Sequence, residues 1–276
     1  MNARAPGIEP DLQRTHGAGL IRVRHKEGRT RLEDLRQEGA LRLRLPRVPA
    51  DAATEAVLIN TAGGLTGGDS LDLGIELAAD SELWVTSQAC EKIYRSLGEY
   101  ALQTVRIDVG AAARAVWLPQ PAILFQGSAY RRVLEVELEQ DAELFALEAT
   151  VLGRAAMGEQ VTRCRLAESW RIRRQGRLQW ASEFALDAPA ALVTAAALDG
   201  ARAFATFVHA APAAAQHLPS LRELVAAWSG RAGVTALADD VVVGLLLAGD
   251  ADALMEDLRR LVESRFARPM PRVWTC

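Results

Sequence analysis

From Gly19 onward the chain alternates between apolar and charged residues. LIRVRH (20–25) and ALRLRLP (40–46) set apolar side chains between arginines at a period near two, the pattern of a strand with one buried and one wet face. A longer period then appears. IELAADSELWV (75–85), IDVGAAARAVWL (107–118) and VELEQDAELFAL (136–147) follow one plan. Each has a short alternating strand, a small turn of Ala, Asp or Gly, and a second strand with Trp84, Trp117 or Phe145 near its middle. Ile75, Ile107 and Val136 open the three copies, 32 and then 29 residues apart. A repeat near 30 residues built from hairpins predicts strands stacked layer on layer, as in a solenoid or an elongated sandwich. Chance similarity among three β-hairpins is the competing reading.

The alternation continues through 159–166, 169–174, 177–186 and 203–208, and Gly176 stands where a hairpin turn wants a left-handed residue. PRVPADAATEA (46–56) reads as a loop. Helical spacing is confined to the C-terminal part. Leu221, Leu224, Val225 and Trp228 form one stripe over 218–228. Leu254, Leu258, Leu261, Val262 and Phe266 form another over 251–266, with Asp250 as N-cap and the buried-strand run VVVGLLL before it. The expected fold is mainly β: an elongated solenoid- or sandwich-like body of stacked hairpins with a small C-terminal α/β part of about two helices. Residues 1–17 are expected to be flexible and 18–276 to form one domain, with the β-rich body over 18–210 and the helical part over 211–276.

Composition narrows the class. Half of the 276 residues are apolar and the formal net charge is −3, which describes a globular protein rather than a disordered one. A sequence pI near 5.9 disfavours nucleic acid, whose phosphates require a basic face. No run reaches the roughly 20 apolar residues of a membrane span, and the first residues lack the apolar core of a signal peptide. Cys90, Cys164 and Cys276 are scattered without metal or disulfide spacing, so a cytoplasmic location is expected. The four histidines make no metal-binding pair at helical spacing.

The most unusual stretch is NTAGGLTGGDS at 60–70. Gly63 and Gly68 have the glycine spacing of a phosphate-binding P-loop, but Asp69 stands where that motif needs lysine. A negative charge there repels phosphate, and SLDLGIEL after it alternates as a strand instead of opening a helix. The glycines are better explained by a tight connection with positive φ or close backbone approach, with Asp69 capping the loop. The other reading makes Asp69 a carboxylate in a polar cavity.

Four segments together carry a resemblance: NTAGGLTGGDSL, then TSQACEKIYRS, WLPQPAILFQGSAYRR and LEATVLGRAAMGE. In order and spacing they resemble the UreD (UreH) family of urease accessory proteins, over about residues 20–210 and more loosely in the tail. Thr61 and Ala62 depart from the two prolines many members carry. The resemblance implies a non-enzymatic adaptor with a solenoid-like β body. It would bind UreF and, through UreF, the GTPase UreG. That assembly would dock on apo-urease so that nickel enters and the active-site lysine is carbamylated. No tightly bound cofactor is implied; nickel(II) would be transient cargo, on a route through an internal polar passage, and the protein would form a hetero-oligomer with UreF.

Carboxylates on otherwise apolar strands are the candidates for such a passage: Asp69, Glu148, Glu159 and Glu183. For each, an ordinary ion pair with an arginine is the competing explanation. Gly63, Gly64, Gly67, Gly68, Lys92, Tyr94 and Arg95 form the structural or interaction motif. Lys92 is one of only two lysines and is a candidate partner of Asp69 or of urease. Two alternatives stay open: a hydrolase using Asp69, Glu148 and Glu183 as acid and base, and a structural binding module with no metal passage.

Overall fold

The computed structural model describes residues 13–49, 52–187, 192, 194, 195 and 197–275. The 30-residue repeat is its scaffold. The first strands of the copies, β5 (Ser70–Leu77), β8 (Ala101–Val109) and β11 (Ala129–Leu138), lie side by side and parallel in one sheet. The second strands, β6 (Glu82–Ser87), β9 (Arg114–Leu118) and β12 (Glu143–Leu152), do the same in a second sheet. Register follows the sequence repeat residue for residue. Ile75 pairs with Ile107, and Ile107 with Val136.

The stacking is solenoid-like, but its unit is an arch and not a hairpin. Within a copy the two strands do not bond to each other; the turn carries the chain from one sheet to the facing one. Alternation alone cannot separate the two arrangements, because either buries one face of each strand. A true hairpin closes the series. β13 (Arg165–Arg174) and β14 (Arg177–Leu186) are antiparallel, joined by Gln175 and Gly176 at φ 49° and 73°, the paired positive values of a type I′ turn.

The first sheet is completed by β1 (His16–Lys26), parallel to β5, and by the edge strand β2 (Arg29–Gly39). β1 thus begins inside the stretch expected to be loose, of which residues 1–12 lie outside the described residues. β2 escaped the pattern because it is mostly exposed and pairs only with β1. The second sheet continues through β4 (Thr54–Asn60) and β3 (Leu41–Arg44) on one side. On the other it gains β15 (Ala203–Ala210), β17 (Val241–Ala248) and β16 (Arg231–Ala238), all antiparallel. The short β7 (Glu91–Ile93) and β10 (Ala122–Leu124) add beside the end of β12. Residues 159–164, expected to open a strand, do not. The Gln126 side chain accepts from the N–H groups of Thr162 (2.8 Å) and Arg163 (3.2 Å), and the ladder starts at Arg165.

One core lies between the sheets; a second lies on the outer face of the second sheet, under α1 (Leu218–Ala226) and α2 (Ala251–Phe266). Asp250 caps α2 by accepting from Ala253 N–H at 2.8 Å, and Leu254, Leu258, Leu261 and Val262 are buried as their spacing required. The three repeat aromatics are not equivalent. Trp84 and Phe145 both pair with Val116 and face α2, where the Phe266 ring meets them at 4.8 and 5.3 Å. Trp117 stands one position further on and therefore faces between the sheets. The tail then straps the outer face. Arg268 lies 4.0 Å over Trp84, Gln120 donates to Val273 O (2.9 Å), and Trp274 Nε1 donates to Thr86 Oγ1 (2.9 Å). Cys276 lies outside the described residues.

Candidate functional site

The two ends of the solenoid differ. At one, the arches are four-residue turns; at the other, longer connections at 61–69, 88–100, 119–128 and 153–164 interlock, the second and third carrying β7 and β10. The glycine cluster belongs to the long-loop end. It leads from β4 straight into β5, and no helix follows it. Gly63 and Gly68 have φ of 78° and 89°. At Gly64 an added Cβ would fall 2.3 Å from the Tyr94 ring. At Gly67 it would fall 2.2 Å from Ser96 Oγ. The glycines are there because the KIYRS segment lies against them. Leu65 donates to Lys92 O (2.8 Å), Tyr94 N–H to Leu65 O (2.7 Å), and Tyr94 OH to Gly63 O (3.2 Å).

Asp69 is buried and caps this loop. Its carboxylate accepts from the backbone N–H of Thr15 and of Thr66, both at 2.8 Å. Lys92 holds the loop by its carbonyl; its side chain is exposed, as is that of Arg95. Glu159 accepts from Gln126 N–H and pairs with Arg154 Nε at 2.9 Å, and both contacts hold it below the ordinary carboxylate range. Glu183 is on the outer face of β14, 63% exposed, and pairs with Arg171 at 2.5 Å.

Glu148 alone of the four faces the space between the sheets. There it meets two charges that the sequence pattern had not singled out, Arg132 on β11 and Glu168 on β13, register partners in the first sheet. Arg132 bonds Glu168 through Nη2, reaches Thr150 Oγ1 at 3.1 Å, and sets Nε 3.1 Å from Glu148 Oε2. That last contact pairs the charges without hydrogen-bond alignment, so Glu148 Oε2 is buried with no donor among the described residues. Its other oxygen accepts from Trp117 Nε1 at 3.1 Å. Burial raises Glu168 against the pull of Arg132; burial alone would lower the Arg132 guanidinium, but the two carboxylates raise it. Tyr130, on the same strand, donates to Gln103 at 2.5 Å, and burial pushes its hydroxyl well above its ordinary value. Nearby on β7, Glu91 accepts from Asn60 Nδ2 at 3.0 Å, and burial pushes its carboxyl up to about 7.

The interior therefore sets Glu148 and Glu168 against one guanidinium, more acid than base, with Glu91 held separately by Asn60. Both missed charges were legible. In YRRVLEVEL the inward phase runs Tyr130, Arg132, Leu134, Val136, and in LAESWRI it runs Leu166, Glu168, Trp170, Ile172. The acid–base trio Asp69, Glu148 and Glu183 is scattered over a loop, the interior and the surface, so no two of them flank a common substrate position. Among the described residues no three His, Cys, Asp or Glu side chains converge to hold a metal ion. Nor is any helix there long and apolar enough to cross a membrane.

A family model described as UreD urease accessory protein matches residues 16–275. The chain belongs to the UreD family of urease accessory proteins. It is similar over nearly its whole length to the "Urease accessory protein UreD" of Rhizobium leguminosarum bv. trifolii, with 44% identity covering 99% of each chain. The counterpart from Rhizobium leguminosarum bv. viciae is also 44% identical, over 95% of this chain and 96% of the relative. "Urease accessory protein UreD 1" of Brucella melitensis biotype 1 is 41% identical, over 96% and 95%. The glycine loop, the KIYRS segment that locks it and the interior acids are thus features of a family member aligned from end to end.

Proposed function

We propose that the protein is a urease maturation factor: a non-enzymatic adaptor that binds UreF, and through it UreG, docks on apo-urease and assists nickel insertion and lysine carbamylation. The end-to-end similarity to urease accessory proteins supports the maturation role. The interior acids support a nickel passage, and the observation that carries it is Glu148 Oε2, buried beside Arg132 Nε yet accepting no aligned hydrogen bond among the described residues. A buried carboxylate oxygen with unused acceptor capacity is costly unless something else at times meets it. Oxygen ligands that are few and partly neutralised suit an ion that must leave again. Glu148, Glu168 and Glu91 are the residues of this passage; Asp69, Glu159 and Glu183 are engaged in loop and surface contacts.

The test replaces Glu148 and Glu168 by glutamine, keeping shape and removing charge. Urease matured with each variant is assayed for nickel content, beside the variant's melting temperature and its co-purification with UreF. Nickel content should fall while UreF binding persists. Undiminished nickel in both variants would end the passage reading, and a chain that fails to restore urease activity to a strain lacking its own family member would end the maturation reading.

A further inference from the structure

The long-loop end has a second property. Its loops are stitched into one rigid platform. Thr66 Oγ1 donates to Arg95 O (2.9 Å), Ser96 N–H to Gly127 O (3.0 Å), and Gly127 N–H to Arg163 O (2.7 Å). On it stand Leu97, 82% exposed at a tip fixed by Ser96 Oγ and Gly98 N–H, and Met157, 73% exposed. The same loops carry the exposed guanidinium groups of Arg95 and Arg163, which have no carboxylate partner among the described residues; Arg131, 5.1 Å from the Tyr100 ring centroid, is instead engaged with Glu183. The basic residues Arg14 and Arg154 of the same end are matched by Glu99 and Glu159. In a chain of net charge −3, this end is left with an excess of positive charge.

We propose that this platform is a docking face for an acidic protein surface, one that offers carboxylates to Arg95 and Arg163 and apolar sockets to Leu97 and Met157. Single exposed apolar residues are ordinary. Here two of them project from loops already ordered by backbone bonds, so little conformational entropy remains to be lost on binding. Unpaired guanidinium groups beside apolar projections make an anchor with a charged rim, and the rim selects the sign of the partner. Glu99, 70% exposed on the same face, sets a protein with a mixed charge pattern ahead of a uniformly anionic lipid surface.

The inference rests on the maturation reading only for the choice of probes, purified apo-urease and UreF, each immobilised separately. Full-length protein is compared with L97D/M157D and R95E/R163E. Each variant should keep its melting temperature and its binding to one probe, while losing about tenfold or more in affinity for the other. In R95E/R163E the association rate should also lose most of its salt dependence. If a double variant melts early, L97S at the exposed tip replaces it under the same criterion. Wild-type affinity for both probes in the variants overturns the platform. So does wild-type binding to phosphatidylcholine–phosphatidylserine vesicles that the variants lose. A wild-type protein that binds neither probe refutes the maturation reading instead.

Discussion

The space between the sheets has two halves. Next to the short turns it is aliphatic: Ile21, Ile75, Ile107, Val136 and Ile172 form one row of register partners, all buried. A few residues along the same strands, toward the long loops, the row reads Leu71, Gln103, Arg132 and Glu168. The backbone pairing is the same in both. Repetition builds the ladder, and within it the apolar half supplies transfer free energy while the polar half holds charge at a cost in stability. The irregular loops also cluster at the polar end. A repeating scaffold carries its special chemistry where the repeat lapses.

The largest break in this comparison should come from Arg132→Met. It leaves Glu148 and Glu168 buried without a counter-charge and should cost about 3–5 kcal/mol in urea unfolding. Adding Glu148→Gln and Glu168→Gln should return most of that loss. Ile107→Val, in the aliphatic half, should cost only about 0.5–1.5 kcal/mol, with nothing to be rescued. If Arg132→Met were as mild as Ile107→Val, the two halves would not differ energetically.

Glu91 gives the polar half a pH signature. Its carboxyl is raised from 4.5 to about 7 in the fold, so the unfolded chain releases the proton first. Stability should therefore fall as pH rises from about 4.5 to about 7 and level off above that. Glu91→Gln should remove this fall, stabilising by up to ~3 kcal/mol above pH 7 and by little below pH 4.5. A pH–stability curve unchanged by the substitution would refute the assignment. At the other end, on the outer face of the second sheet, Glu143 has the opposite sign. Burial would raise it, but His209 and Arg114 hold it down to about 2, so its contribution is lost as pH falls from 4.5 toward 2.

Smaller effects belong to the loop and the surface. Asp69→Ala frees two backbone N–H groups and should cost about 1–2 kcal/mol. Glu183→Ala breaks an exposed pair and should cost under about 1 kcal/mol. If thermal melting ranked Glu183 above Asp69, their structural roles would be misassigned.

The ladder was legible in the sequence because Ile75, Ile107 and Val136 mark it by spacing alone. The arch was not, since a strand's alternation says which face is buried and not what buries it. Glu183 attracted notice as a charge among apolar neighbours, yet Trp180 and Phe184 fix the inward phase of β14 and set Glu183 outside it. Arg132 and Glu168 sit in phase on their strands, Arg132 next to the charged Arg131 and Glu168 between the small Ala167 and Ser169, so local contrast with apolar neighbours does not mark them. Phase was the better guide to the interior than neighbourhood. Asp69 was legible as a cap, but its bond to Thr15 joins segments 54 residues apart, which no local pattern reveals.

The strap over Trp84 has a consequence for biosynthesis. Trp274 and the Thr86 it bonds are 188 residues apart in the chain. The coils can assemble in order as the ribosome delivers them, each on the one before, with contacts only about 30 residues long. The outer wall of the second sheet cannot be sealed that way. Trp84 and Phe145 stay uncovered by Phe266 while more than a hundred further residues are translated. The nascent chain thus presents a sticky aromatic wall until α2 and the strap are made.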